Sequence, residues 1–77
     1  MPKSTNDETL GERLQRARRR QGLTAVTAAT SLGLNRSRLA QFESDGAVPT
    51  LDQLTQISRL YHVEFDWLVA PVVSAAS

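Results

Sequence analysis

Two short helices with almost no linker between them are predicted by residues 22–43, GLTAVTAATSLGLNRSRLAQFE. The first begins after Thr24, a good N-cap, and extends through Ser31, barely two turns later. Gly33 suits the left-handed conformation that ends a helix, and Asn35, two residues on, is a good N-cap for the next one. The second helix therefore starts almost at once and at a large angle to the first.

Three residues of this unit control how closely the two helices approach. Ala29 must be small where the helices meet, Gly33 lets the backbone turn, and Leu39 fills the space between them. At about 100° per residue, Leu39 and Phe42 define the buried side of the second helix. The pattern is that of a helix-turn-helix whose second helix has one side facing solvent.

The solvent side of the second helix is short-chained and uncharged at its centre. It comprises Ser37, Ala40, Gln41 and Ser44, with Arg36 and Arg38 on its two flanks. A helix that enters the major groove of DNA needs small residues, amide donors and flanking cations. The alternative is an ordinary polar surface, although such a surface more often carries Glu and Lys.

A helix is predicted before this unit. Thr9 and Glu12 have the spacing of a capping box, so the helix begins after Thr9, and Gly22 ends it. Its buried face is predicted to hold Leu10, Leu14, Ala17 and Gln21. Its outward arginines are predicted to be Arg13, Arg16, Arg19 and Arg20.

Two further helices are predicted after the unit. Thr50 and Gln53 repeat the capping-box spacing at the start of a fourth helix. Its buried face is predicted to hold Leu51, Leu54, Ile57, Ser58 and Tyr61. A last short helix near residues 65–69 packs Phe65 and Leu68, and Pro71 ends it.

The length of the chain limits it to one domain. Its 77 residues are 40% hydrophobic and include no cysteine, so it closes one small core without disulfides or thiolate metal sites. Residues 1–8 are polar and are predicted to form a disordered arm, residues 9–69 the folded domain, and residues 70–77 a tail that is flexible or associated with dimerisation. No apolar run approaches the roughly 20 residues of a membrane-spanning helix, so a soluble, intracellular protein without membrane contact is expected.

Positive charge is concentrated in one part of the chain. The formal net charge is only +1, but residues 13–38 hold seven arginines and no acidic residue, whereas residues 39–77 hold five acidic residues and one arginine. One side of the molecule is therefore expected to be more basic than the total implies, which favours an anionic partner. The alternative is a solvated arginine surface that keeps a small protein soluble.

The sequence does not predict an enzyme. It has no cysteine, no phosphate-cradling glycine loop, and no pair of carboxylates with the spacing of one site. The lone histidine, His62, stands at a helix end, where a cap is a far commoner role than a metal ligand or a base. No cofactor and no metal are expected.

Residues 22–43 resemble the helix-turn-helix family of phage repressors, Cro proteins and their bacterial relatives, the XRE type. The same resemblance includes Pro49 and residues 51–68, LDQLTQISRLYHVEFDWL. The resemblance covers residues 10–68 and rests on Ala29, Gly33 and Leu39 at the restrictive positions of the family. It implies an all-α, compact bundle of five short helices, the lambda repressor-like fold. It also implies a transcriptional regulator, a repressor, that binds double-stranded DNA as a homodimer on an inverted repeat, in the cytoplasm of a bacterial cell and at its nucleoid.

The resemblance also assigns roles to individual residues. The base-contacting positions of the second motif helix, the recognition helix, correspond to Arg36, Ser37, Ala40 and Gln41. A guanidinium can pair with guanine, a carboxamide with adenine, and a methyl group with thymine. The phosphate-contacting candidates are Thr24, Arg38, Ser44 and Arg19. The family often has glutamine after the first cap, whereas this chain has Ala25, so that phosphate contact is expected to be weaker or moved.

Other matching positions have structural roles. Arg18 and Glu43 correspond to an arginine of the first helix and a glutamate at the end of the recognition helix, which commonly form a structural ion pair. Two residues after that glutamate the family usually has glycine, but here Asp45 precedes Gly46, so the turn is expected to shift by one residue. His62 replaces another frequent glycine, at a place where a left-handed backbone tolerates His.

The sequence leaves alternatives for the dimer contact and for the biological role. The dimer candidates are Trp67, Val69, Val72 and Val73, and the alternative for Trp67 is that it packs on its own core. A phage repressor, a controller of a restriction-modification operon and an antitoxin that represses its own operon share this architecture. The alternative outside DNA recognition is a protein-interaction module or antitoxin with a protein partner on its C-terminal surface.

Overall fold

The computed structural model describes residues 8–69, which form five α-helices. In chain order these are α1 (Leu10–Arg20), α2 (Ala25–Ser31), α3 (Arg36–Glu43), α4 (Leu51–Tyr61) and α5 (Phe65–Val69). The described part of the chain contains no strand, which confirms the predicted all-α bundle of five short helices. The predictions for the rest of the N-terminal arm and for the C-terminal tail lie outside the described residues.

Side-chain caps set the starts of the first four helices. Thr9, Thr24, Asn35 and Thr50 each accept a hydrogen bond from the backbone N–H three residues further on. At Thr9 and Thr50 the capping box is complete, because Glu12 and Gln53 accept from the backbone N–H of the cap. All four predicted helix starts are confirmed.

The core lies between the five helices and is small. Its buried apolar side chains are Leu14, Ala17, Ala28, Ala29, Leu39, Phe42, Leu54, Ile57, Tyr61 and Leu68. The predicted burial of Leu51 is wrong, because its side chain is 71% exposed at the first position of α4, ahead of the turn where the core begins with Leu54. Gln21, also predicted to be buried, is the exposed C-cap of α1.

Arg13 departs from the prediction in the opposite direction. Its side chain was expected to point to solvent, but the residue is 8% exposed. Its Nη1 donates to the backbone carbonyls of Trp67 at 3.1 Å and Leu68 at 3.4 Å. The guanidinium thus supplies donors to backbone carbonyls of α5, which the periodicity of α1 alone does not indicate.

A close approach between two helices joins the start of α1 to the end of α3. A Cβ atom built on Gly11 would stand 2.5 Å from the carbonyl oxygen of Glu43 and 2.7 Å from that of Phe42. Since real Cβ atoms do not come so close to backbone, only glycine fits at this contact. The helical periodicity of the sequence does not predict this contact at Gly11.

Among the described residues, no helix is long and apolar enough to cross a membrane.

Candidate nucleic-acid interface

The turn between α2 and α3 is held by backbone hydrogen bonds. Gly33 N donates to Thr30 O at 3.1 Å and Leu34 N to Ala29 O at 2.9 Å, with Gly33 in the left-handed conformation at φ +70°. Ala29 and Leu39 are buried, as the predicted helix contact requires. The turn and the contact fix α3 relative to α2.

The side of α3 that faces away from the core carries the predicted base-contacting residues. We call this side the outer side of α3. All its residues are exposed, and they are Arg36, Ser37, Arg38, Ala40, Gln41 and Ser44. Arg36 makes no hydrogen bond or ion pair with other described residues, so its guanidinium is available to a ligand. Small side chains separate the longer ones on this outer side.

Arg38 and Gln41 contact each other on this outer side. Arg38 Nη1 donates to Gln41 Oε1 at 3.4 Å, and the guanidinium carbon lies 5.9 Å from the centre of the Phe42 ring. The backbone N–H of Arg38 donates to the side chain of Asn35 at 2.7 Å. The Arg38 side chain therefore lies along its own helix.

The opposite side of α3 faces α1 and ends in a buried ion pair. Arg18 Nε donates to Glu43 Oε2 at 2.7 Å and Arg18 Nη2 to Glu43 Oε1 at 3.1 Å, so the pair predicted from the resemblance is bidentate. Arg18 Nη1 also donates to Leu23 O at 2.9 Å. The hydrogen bond with Glu43 raises the pKa of Arg18, and the side chains are only 10% and 8% exposed. Glu43, the single carboxylate of α3, is thus turned away from the outer side.

Tyr61 of α4 is fully buried in the same part of the molecule. Burial raises the pKa of its hydroxyl to about 12, and the nearby Glu43 carboxylate adds to that rise while Arg18 opposes it. The hydroxyl has no hydrogen-bond partner among residues 8–69.

Asp45 connects the end of α3 to the start of α1. Its Oδ2 accepts from Thr9 Oγ1 at 2.6 Å and its Oδ1 from Gly11 N at 2.9 Å, so its carboxylate lies at the N-terminus of α1. Asp45 itself adopts the left-handed conformation, at φ 65°. The predicted shift of this turn to Gly46 is therefore wrong, because aspartate takes the conformation of the expected glycine and its side chain gains two donors.

The four phosphate candidates differ in how they are held. Thr24 Oγ1 accepts from Thr27 N at 3.1 Å and donates to Thr27 Oγ1 at 2.9 Å, while Ser44 Oγ donates to Gln41 O at 3.2 Å. Arg19 is exposed on α1 and is not paired with another described residue, whereas Arg38 contacts Gln41 and Phe42. Thr24 and Ser44 are therefore held by local hydrogen bonds, and the Arg19 side chain is less constrained than that of Arg38.

The contact between α1 and α5 involves Trp67, one of the four dimer candidates. Its half-buried ring has Arg16 at 5.4 Å and Arg13 at 6.0 Å from its centre, and Arg16 Nη2 also lies 2.9 Å from Glu8 Oε1. Part of the Trp67 ring thus packs against the core of its own chain, and its role in a dimer contact stays a prediction. Val69 is 41% exposed, and Val72 and Val73 lie outside the described residues.

Residues 8–69 contain no group of three or more His, Cys, Asp or Glu side chains arranged to hold a metal ion. His62 is the C-cap of α4 in the left-handed conformation, at φ 57° and ψ 44°, as predicted.

Comparison with known proteins identifies a family and a related regulator. Residues 14–68 match the family HTH_3, described as helix-turn-helix. The chain is 38% identical over 61 residues to the HTH-type transcriptional regulator ImmR of Bacillus subtilis (strain 168). The matched region covers 79% of this chain and 48% of ImmR. The chain thus spans about half the length of this relative.

Two solved structures have a similar fold. One is the P22 c2 repressor protein in complex with synthetic operator 9T, with a TM-score of 0.77 and 19% identity over 82% of this chain and 96% of the repressor. The other is SinR, a master regulator for biofilm formation, in complex with DNA, with a TM-score of 0.73 and 22% identity over 79% of this chain and 98% of SinR. Both confirm the repressor-like fold.

Proposed function

Because the chain belongs to the helix-turn-helix family HTH_3, we propose that it is a sequence-specific DNA-binding transcriptional regulator, a repressor, that binds an inverted-repeat operator as a dimer. The related ImmR is named as an HTH-type transcriptional regulator, and both similar structures are complexes with DNA. None of these proteins is named as an enzyme, in agreement with the prediction from the sequence. The proposal places the protein in the bacterial cytoplasm, where it meets DNA.

The observation that carries the proposal is the absence of negative charge on the outer side of α3. The single acidic residue of α3, Glu43, is neutralised by Arg18 on the inner side, while Arg36 and Arg38 are exposed on the outer side. DNA presents phosphates along both walls of the major groove, so a carboxylate on that side would oppose binding. The outer side of α3 has the charge and the small side chains that groove entry requires.

Each outer residue has a chemical role in this proposal. Arg36 donates to a guanine through two N–H groups, the Ala40 methyl contacts a thymine methyl, and Ser37 bonds a base edge. Gln41 is a further base-contacting residue. The phosphate contacts are assigned to Thr24, Arg19, Ser44 and the part of the Arg38 guanidinium that remains free.

A dimer follows from the size of one recognition helix. A single α3 covers only a few base pairs, so useful specificity requires two copies on half-sites about one helical turn apart. We assign the dimer contact to Val69 and the apolar Val72 and Val73 after it, with the remaining exposed edge of Trp67. Sedimentation of Val69→Asp tests this assignment: dissociation into monomers supports it, and an unchanged dimer removes Val69 from the interface.

The experiment for the proposed function compares random duplex DNA with duplexes selected from a random pool, between about 50 and 200 mM salt. We expect a selected palindrome to bind at least about a thousandfold more tightly than random duplex, with affinity that falls steeply as salt rises. Weak binding that is insensitive to salt, with no sequence selected, would overturn the proposal. The function would then be sought in a protein partner.

A further inference from the structure

The outer side of α3 contains a hydrogen bond that changes what one of its residues can offer to DNA. Arg38 Nη1 donates to Gln41 Oε1 at 3.4 Å, and both side chains are exposed. The two residues are three positions apart and therefore lie on the same side of the helix. The guanidinium also lies 5.9 Å from the centre of the Phe42 ring, which gives it a second contact on its own helix.

This bond occupies one lone pair of the Gln41 amide oxygen. A carboxamide that recognises adenine must accept from the N6 amino group while it donates to N7. The Gln41 oxygen keeps a second lone pair, but the Arg38 donors lie beside it, so an adenine amino group there would face other donors. What remains accessible is the Gln41 amide N–H and the unused N–H groups of Arg38, all of them donors.

We infer that Arg38 fixes the hydrogen-bonding character of Gln41, so that the two side chains act as one donor-only group that selects guanine where Gln41 alone would select adenine. Guanine fits because its major-groove edge offers two acceptors, N7 and O6, and no donor. This inference deepens the proposed function and rests on it. Arg38 is a specificity-determining residue here, in addition to any phosphate that it contacts.

The rest of the outer side agrees with a preference for acceptors. Arg36 carries only donors, and the carboxylate that could accept from a cytosine amino group, Glu43, is held by Arg18 on the inner side. The hydroxyl groups of Ser37 and Ser44 are the outer acceptors. The preferred half-site therefore places guanines where Arg36 and the Arg38–Gln41 pair contact it.

The test selects operators from a random pool with four proteins: wild type, Arg38→Met, Gln41→Ala, and Arg19→Met as the matched control. Arg38→Met removes the donor and the charge but keeps an unbranched apolar stem of good helix propensity over Phe42. Arg19→Met removes one exposed positive charge from α1 and leaves α3 intact. Melting curves establish that all four proteins are folded at the selection temperature.

The expected result is a change of base at one position of each half-site. Wild type selects guanine there, Arg38→Met selects adenine, Gln41→Ala loses the preference, and Arg19→Met weakens binding without a change of sequence. Replacement of that guanine by 7-deazaguanine, which lacks the N7 acceptor, should weaken wild-type binding about tenfold or more and Arg38→Met much less.

Two other outcomes overturn the inference, and they differ in what they leave standing. If wild type and Arg38→Met select the same base at every position, or wild type selects adenine opposite Gln41, the protein recognises DNA but Arg38 does not control Gln41. If no sequence is selected by any of the four proteins, the proposed function fails and the inference fails with it.

Discussion

The two sides of α3 use the same kinds of residue in opposite ways. On the inner side a guanidinium, Arg18, is buried and bonded to Glu43 and a backbone carbonyl, close to the contact between Gly11 and the end of the helix. On the outer side a guanidinium, Arg36, is exposed and makes no bond within the described structure. The first arrangement fixes the position of α3, and the second leaves donors for a ligand.

This difference separates stability from binding. A change on the inner side should lower the free energy of unfolding, and DNA affinity should fall only because α3 is displaced or melted. A change on the outer side should alter DNA affinity without an effect on the melting temperature. Each variant below is therefore measured in both assays.

The largest expected loss of stability is for Arg18→Ala. The substitution leaves the Glu43 carboxylate buried without its partner and removes the bond to Leu23 O, at a cost of about 3–5 kcal/mol. Urea unfolding followed by circular dichroism measures it. Because that cost is a large part of the stability of a small domain, operator binding should be lost together with the fold.

A double variant shows whether the loss comes from the unpaired charge. Arg18→Met combined with Glu43→Leu removes both charges, and we expect the double variant to be more stable than Arg18→Met or Glu43→Leu alone. If the two single losses simply add in the double variant, the pair is not the cause.

The second expected loss is for Gly11→Ala, which adds one methyl group between α1 and α3. The new Cβ would stand 2.5 Å from Glu43 O, so the helices must separate, at a cost of up to about 3 kcal/mol. Gly46→Ala is the matched control, because the nearest atom to its Cβ would be Ser44 Oγ at 3.5 Å, and its change should stay within about 0.5 kcal/mol. Equal melting temperatures for the two variants would show that the contact is not rigid.

The third prediction concerns alkaline pH and Tyr61. The neutral hydroxyl is favoured in the folded protein, where its pKa is about 12 against about 10 in the unfolded chain. The stability that this difference provides is complete below pH 10 and is lost as the pH rises toward 12, with a loss of about 1 kcal/mol by pH 11.

Tyr61→Phe isolates this effect. The variant has no group to ionise at that position, so its stability should fall less than that of wild type between pH 10 and 11. At neutral pH it should be at least as stable as wild type, since the Tyr61 hydroxyl has no partner among the described residues. Parallel pH profiles for the two proteins would contradict the assigned pKa.

Local signals in the sequence were sufficient for the helices and for their order. A capping side chain and its partner lie three residues apart, so the four N-caps are visible without any knowledge of tertiary structure. The buried Leu39 and Phe42 also follow from periodicity, because α3 packs on one side only.

The failures concern contacts between distant parts of the chain. Arg13 is buried because α5 covers it, and Asp45 keeps its turn in place because the N-terminus of α1 supplies donors to its carboxylate. The one signal in the sequence for the Gly11 contact is a glycine near the start of a helix, where no turn requires it. The base and phosphate assignments on α3 stay predictions, since exposure shows which side chains are available and not what they bind.

The smallest expected effect on stability, and a large one on binding, is for Arg36→Ala. Arg36 is the first residue of α3, and it is exposed and unpaired within residues 8–69. The free energy of unfolding should therefore change by no more than about 0.5 kcal/mol. If Arg36 donates to a guanine, operator affinity falls about tenfold or more and the selected sequence relaxes at that one position. If it contacts a phosphate instead, binding weakens equally on all sequences and the salt dependence becomes shallower. Arg59→Ala, an exposed arginine of α4, is the control for loss of one charge. A loss of stability close to that of Arg18→Ala would mean that the two sides of α3 are not separate in function.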